Sequence, residues 1–223
     1  MQKIVKQFGD MNYILGLPEN FDENKKYPVI ILLHGAGSRG TDPAPLLANP
    51  YFSETEVHNL DMVSFAPQCY ADTWYDIFEE LQEFIEFAIA QPYCEKDRVY
   101  LMGASMGGYA TWQMAMSRPE LFAAIVPICG GGMYWNAGRL KNMGVWAFHG
   151  EVDDVVFPEE SRKMVDYVNM KGGNARLTIC EGVCHTSWLN AYRSTELFDW
   201  LLSHRLVDGK AERTDYQGAK QFG

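Results

Sequence analysis

The chain predicts an α/β fold with a mostly parallel central sheet flanked by helices. Three observations carry this reading. Short apolar runs recur along the 223 residues, and helix-patterned stretches fall between most of them. Several of the runs are apolar at nearly every position, as strands are when both faces of their sheet are covered. Alternating strand and helix gives a parallel sheet with helices on both sides. The length suits one substantial core and is short for two.

Taken in order, strands are expected over 12–17 and 29–33. Residues 37–61 form a long irregular stretch with Pro43, Pro45 and Pro50. It follows the C-terminal end of an early strand, where open α/β sheets place their ligands. A strand over 62–66 precedes a helix over 76–90, whose apolar stripe is Ile77, Leu81, Phe84, Ile85 and Ala88. A strand over 99–102 leads into the helix-compatible stretch 108–116. Strands over 124–128 and 145–148 leave 17 positions from Ile128 to Val145, too few for an inserted cap domain. A helix over 158–171 carries Met164, Val165 and Val168, and Gly172-Gly173 stops it. The last strand, 176–180, precedes a helix over 190–202 with Leu197, Phe198, Leu201 and Leu202. The composition turns polar from Leu206. The organisation expected is one domain over 1–205 and a loosely held polar tail over 206–223. No internal repeat is visible.

Composition excludes several classes of function. Apolar residues are 47% and charged residues 22% of the chain, as in soluble globular proteins. A net charge of -10 and a pI near 4.9 argue against nucleic acid and against anionic membrane surfaces as partners. No apolar run approaches the length of a membrane span, and residues 1–7 lack the apolar core of a secretion signal. The cysteines number five, an odd count that fits reduced thiols. A cytoplasmic location is the expectation. Cys180 and Cys184 have no second pair to complete a zinc site, so neither metal nor organic cofactor is expected.

The chemistry centres on Gly103-Ala104-Ser105-Met106-Gly107, between the apolar run 99–102 and the stretch 108–116. A serine between two glycines at a strand-to-helix junction is a nucleophile elbow, with a turn sharp enough to stand the hydroxyl clear of its neighbours. The chain order for such a serine is serine, acid, histidine. His149 stands before most candidate acids, and His204 sits near a helix end where a cation suits the dipole. His185, in the loop after the last strand, opens at the same sheet edge as Ser105 and is the expected base. The acid that orients it comes from the segment 149–156. Glu151, Asp153 and Asp154 stand there, and spacing does not separate the two adjacent aspartates, of which Asp153 is preferred. The oxyanion needs two backbone N–H groups. The Met106 amide supplies one. The other comes from His34-Gly35-Ala36-Gly37, with Ala36 preferred and Gly37 next, and His34 a structural group of the turn.

Four motifs now stand in order: HGAGSRG, GASMGG, HGEVDDVV and GVCHTSW. With Ala66-Pro67-Gln68-Cys69 and Pro127-Ile128-Cys129-Gly130-Gly131-Gly132, they resemble the α/β-hydrolase superfamily. Within it the chain is similar to small esterase-like members labelled predicted peptidases, neighbours of phospholipase/carboxylesterases and feruloyl esterases. The resemblance runs from about residue 12 to residue 202. It implies Ser105, Asp153 and His185 as the triad and places the acid at Asp153. Dienelactone hydrolases share the fold but use cysteine at the elbow, and Ser105 departs from them.

The activity so implied is that of a serine carboxylic ester hydrolase working through an acyl-enzyme on short acyl or aryl esters, sugar-linked ones included. Without a cap, the site is expected to be open. Trp74, Tyr134, Trp135 and Trp188 are the candidate walls, since aromatic faces suit an aryl acid or a sugar ring. Two other readings stand beside this one. A serine peptidase of prolyl-oligopeptidase-like type would need anchors for peptide termini, with Arg39 and Arg139 as candidates. A non-catalytic binding protein on the same fold would show a broken triad.

Overall fold

A computed structural model describes residues 1–214 of the chain. Ten strands and seven α-helices are present among them: β1 Gln2–Phe8, β2 Met11–Leu17, β3 Tyr27–Leu33, α1 Ala44–Leu47, α2 Pro50–Glu54, β4 Val63–Pro67, α3 Phe78–Ile89, β5 Cys94–Ala104, α4 Met106–Ser117, β6 Ala124–Ile128, β7 Gly144–Gly150, α5 Glu159–Met170, β8 Arg176–Cys180, α6 Trp188–Arg193, α7 Thr195–Leu202, β9 His204–Val207 and β10 Lys210–Arg213.

Eight strands form one sheet in the order β1-β2-β4-β3-β5-β6-β7-β8. β2 runs antiparallel to both β1 and β4. From β4 through β8 every pairing is parallel. The unbroken apolar runs have a direct cause. In β3, Val29, Ile31 and Leu33 join one apolar cluster while Ile30 and Leu32 join the other. In β5, Val99 and Leu101 face one side while Tyr100, Met102 and Ala104 face the opposite one. Side chains alternate across a strand, so a sheet covered on both faces needs apolar residues at every position. One layer is built on α3, α4 and α5, the second on α2, α6 and α7. Between β6 and β7 only the short 3-10 helix Tyr134–Leu140 intervenes, so no cap is inserted there.

Three features differ from the sequence reading. β1 is exposed along nearly its whole length, so it has no alternating buried face to betray it. The helix expected over 190–202 is two, broken at Ser194, whose extended backbone ends α6 and whose hydroxyl caps α7 by accepting from the Leu197 N–H at 3.1 Å. Residues 206–213, expected in a loose polar tail, belong instead to the antiparallel hairpin of β9 and β10. The hairpin is tied down where the Tyr100 hydroxyl donates to the His204 carbonyl at 2.9 Å and the Ala211 N–H donates to the Asn142 carbonyl at 2.8 Å. The rest of that tail, 215–223, lies outside the described residues.

Candidate active site

Ser105 stands between β5 and α4 with φ 57° and ψ -118°, a left-handed backbone that a residue with a side chain seldom adopts. The turn is fixed on both sides. The Ser105 N–H donates to the Ile128 carbonyl at 2.9 Å, and its own carbonyl accepts from the Tyr109 N–H at 3.0 Å. The flanking glycines are needed for close approach. A Cβ on Gly107 would lie 2.0 Å from the Leu33 carbonyl oxygen, and one on Gly103 would lie 2.3 Å from that of Gly107. Any side chain at these positions would push the elbow off β3 or off its own helix.

His185, from the loop after β8, brings Nε2 to 2.8 Å from Ser105 Oγ. Its Nδ1 lies 2.7 Å from Asp153 Oδ2, so this nitrogen carries the hydrogen and Nε2 is free to accept one. Asp153, on the turn after β7, is 3% exposed, which makes its compensation decisive. Its Oδ1 accepts from the Val155 and Val156 N–H groups, each at 3.0 Å. Burial works to raise the carboxyl, but the hydrogen bonds from His185, Val156 and Val155 outweigh it and hold it below the ordinary range. Asp154 is exposed and takes no part in these contacts.

Met106 is the first residue of α4, so its N–H has no carbonyl within the helix to bond. Ala36 opens the 3-10 turn Ala36–Ser38 after β3. Neither amide donates to a turn, loop or side-chain acceptor among the described residues, which leaves both available to a ligand.

The Ala36 turn is fastened from below by the chain after β4. The His34 Nε2 accepts from the Cys69 N–H at 2.9 Å while Nδ1 donates to the Gly35 carbonyl at 2.6 Å. Burial pushes this imidazole down to about 4, so it stays neutral in that arrangement. The Arg39 guanidinium donates to the Ala36 and Asp72 carbonyls, each at 2.9 Å.

The site opens into a cavity of about 410 Å³. One wall is the Ala36 turn, another is Asn49 and Pro50 at the start of α2, and a third is Trp188 and Tyr192 of α6, with Val155 at the rim. Of the four expected aromatic walls, Trp188 lines this cavity and sits edge-on to His185 at 5.8 Å. Trp74 does not. It is fully buried beneath the loop, and its indole N–H donates to the His34 carbonyl at 3.1 Å. Tyr134 and Trp135 are exposed but lie outside the lining, because their 3-10 helix packs Tyr134 toward Tyr167 of α5. Asn49 and Tyr192 carried no sequence signal, since only the packing of α2 on α6 brings them to Ser105, whereas Pro50 comes from the irregular stretch after β3 and Val155 from the turn that carries Asp153.

Cys129, Asp153 and His185 place potential metal-ligating atoms within 4.8 Å of one another. The donor chemistry does not fit a cation. Asp153 and His185 already hold each other, and burial pushes the Cys129 thiol up to about 12, far from the thiolate a metal would need.

The chain is 30% identical to a thermostable esterase of known structure, superposing with a TM-score of 0.75 over 95% of its own length and 63% of that chain. The chain has the α/β-hydrolase fold. The prolyl oligopeptidase family model matches this chain over residues 63–137, the part that holds the elbow. Feruloyl esterase D of Neurospora crassa is 25% identical over 165 residues, covering 69% of this chain and 57% of that protein. A ferulic acid esterase structure shares the fold at 16% identity, with a TM-score of 0.68 over 88% of this chain and 97% of that one. The chain thus spans less than two thirds of the thermostable esterase and of feruloyl esterase D.

Proposed function

We propose that this chain is a serine carboxylic ester hydrolase working through Ser105, His185 and Asp153, on short acyl or aryl esters. The observation that carries the reading is the unbroken line of contacts, 2.8 Å from Ser105 Oγ to His185 Nε2 and 2.7 Å from His185 Nδ1 to Asp153 Oδ2, at the floor of one cavity. Ser105 Oγ attacks the ester carbonyl as His185 Nε2 takes its proton. Asp153 fixes the ring and stabilises the imidazolium. The Ala36 and Met106 amides receive the oxyanion. The imidazolium protonates the departing alcohol, and water, activated by the same imidazole, then releases the acid from Ser105.

The cavity favours a modest acyl or aryl group, with its other end open to solvent at the rim. The prolyl oligopeptidase family match keeps a peptidase as the second reading. Arg39 and Arg139 do not favour it. Arg39 is spent on the Ala36 turn, and Arg139 Nε donates to the Met116 carbonyl at 2.6 Å. The proposal places the machinery in one domain and in a reducing, cytoplasmic setting, which agrees with five free thiols.

A panel of nitrophenyl acyl esters and methyl hydroxycinnamates, run on the wild type beside Ser105→Ala, tests it. Turnover abolished in the variant is the expected result, and the panel's profile gives the acyl preference. Equal turnover in both proteins overturns the Ser105 mechanism. Turnover of aminoacyl nitroanilides above that of the matching esters moves the assignment to a peptidase.

A further inference from the structure

His149 ends β7, is fully buried, and has no part in the steps above. Its ring nitrogens are nevertheless fully engaged. Nδ1 lies 2.8 Å from Ser161 Oγ, which lies 2.8 Å from the Gly130 carbonyl oxygen. Nε2 lies 2.8 Å from the Val156 carbonyl oxygen and 3.4 Å from Asp153 Oδ2.

The partners fix the protons. The Val156 carbonyl and the ionised Asp153 only accept, so Nε2 must carry a hydrogen. Nδ1 and the Gly130 carbonyl compete for the single Ser161 hydroxyl hydrogen, and with that hydrogen given to Nδ1 the nitrogen accepts and the ring is neutral. Asp153 Oδ2 is also the oxygen that accepts from His185 Nδ1. The His149 N–H is thus bonded to the Val156 carbonyl, and its Nε2 also lies 3.4 Å from the carboxylate oxygen that accepts from His185.

We propose that His149 is a positioning residue for the acid: its Nε2–H, bonded to Val156 O and 3.4 Å from Asp153 Oδ2, holds the acid's turn and, as a nearby dipole, stabilises charge on the oxygen that orients His185. The proposal rests on reading Ser105, His185 and Asp153 as the triad. The charged and titratable groups facing the ring are Asp153 from its own turn, His185 from the loop after β8, and Glu159 from the first turn of α5. Burial, opposed by the Val156 carbonyl and by Asp153, pushes the His149 imidazole down. It therefore serves at neutral pH as an uncharged donor. Without this donor, Oδ2 is more negative toward His185. That strengthens the hold of Oδ2 on the Nδ1–H of His185, and the acid limb of the reaction moves to higher pH.

Glutamine and asparagine separate this role from simple packing. A glutamine amide reaches the place of Nε2, whereas an asparagine amide reaches only the place of Nδ1. The full chain and its His149→Gln and His149→Asn variants are labelled with a fluorophosphonate probe, and the labelling rate is followed against pH, with Ser105→Ala as the blank. Expected is an acid limb unchanged in His149→Gln and moved up by about half a pH unit in His149→Asn. A His149→Asn limb that keeps the wild-type midpoint while only the plateau falls overturns the proposal, because a packing role alone would do that. So does a His149→Gln limb that moves with His149→Asn. Wild type that labels no faster than Ser105→Ala overturns the triad reading itself, and the proposal with it, which distinguishes the two failures.

Discussion

Asp153 shows how a single buried charge is made tolerable. An ionised carboxylate out of water needs compensation on both oxygens. Here one oxygen takes two backbone N–H groups and the other takes His185. Asp153→Asn replaces an acceptor with an amide that cannot hold the imidazole in its working tautomer. A fall in kcat of about 10⁴-fold is expected, on the scale known for triad aspartates. Asp154→Asn, at an exposed neighbour with none of these contacts, is expected to leave the rate near wild type. Steady-state kinetics on one nitrophenyl ester decides it, and comparable losses in both variants would remove Asp153 from the role. The adjacent aspartates also mark the limit of sequence reasoning at this scale. Chain order narrowed the acid to one turn, but burial and the Val155 and Val156 amides separate Asp153 from Asp154. Those properties belong to the folded turn.

At the scale of elements, legibility followed burial. Strands with two covered faces, such as β3, β6 and the second half of β5 from Val99, announce themselves as continuous apolar runs, whereas the charged first half of β5 does not. The exposed β1 and the half-exposed β9 and β10 do not, although the hairpin bears load. The His204 ring packs on Trp200 with centroids 4.5 Å apart, and it lies so close to Gly144 that a Cβ there would be 2.8 Å from Cδ2. Arg98, almost fully buried, donates to the Leu202 carbonyl at 2.6 Å and to Thr214 Oγ1 at 3.2 Å. Truncation after Ser203 uncovers this cluster. A melting temperature lower by about 5–10 °C is expected, corresponding to a few kcal/mol in a chain of this size. The hairpin borders the N-terminal part of β5, at the opposite end of that strand from Ala104 and Ser105, so fluorophosphonate labelling at room temperature should persist. An unchanged melting temperature would show the hairpin to be peripheral.

Over the whole molecule, the buried histidines are expected to begin the loss of stability on acidification before the carboxylates do. His34, His149 and His204 are all buried, and burial is the leading cause that lowers each, His34 to about 4. In the unfolded chain the same residues titrate near 6.5. Between those values the unfolded state binds protons that the folded state refuses, so stability is full above about pH 6.5 and drains as pH falls toward the folded values. His34 alone accounts for about 2 kcal/mol between about pH 7 and about pH 5. Asp153 works in the same direction but later, since its lowered carboxyl holds its stabilisation until pH drops below the unfolded value near 4. Urea unfolding at about pH 7 and about pH 5 should therefore show a loss well above the acid range of carboxylates, and His34→Asn should flatten it. A stability that stays level to about pH 5 and breaks only below about pH 4 would assign acid unfolding to the carboxylates instead. The chain's isoelectric point near 4.9 lies inside this window, so the measurement calls for dilute protein, where unfolding and self-association can be told apart by their concentration dependence.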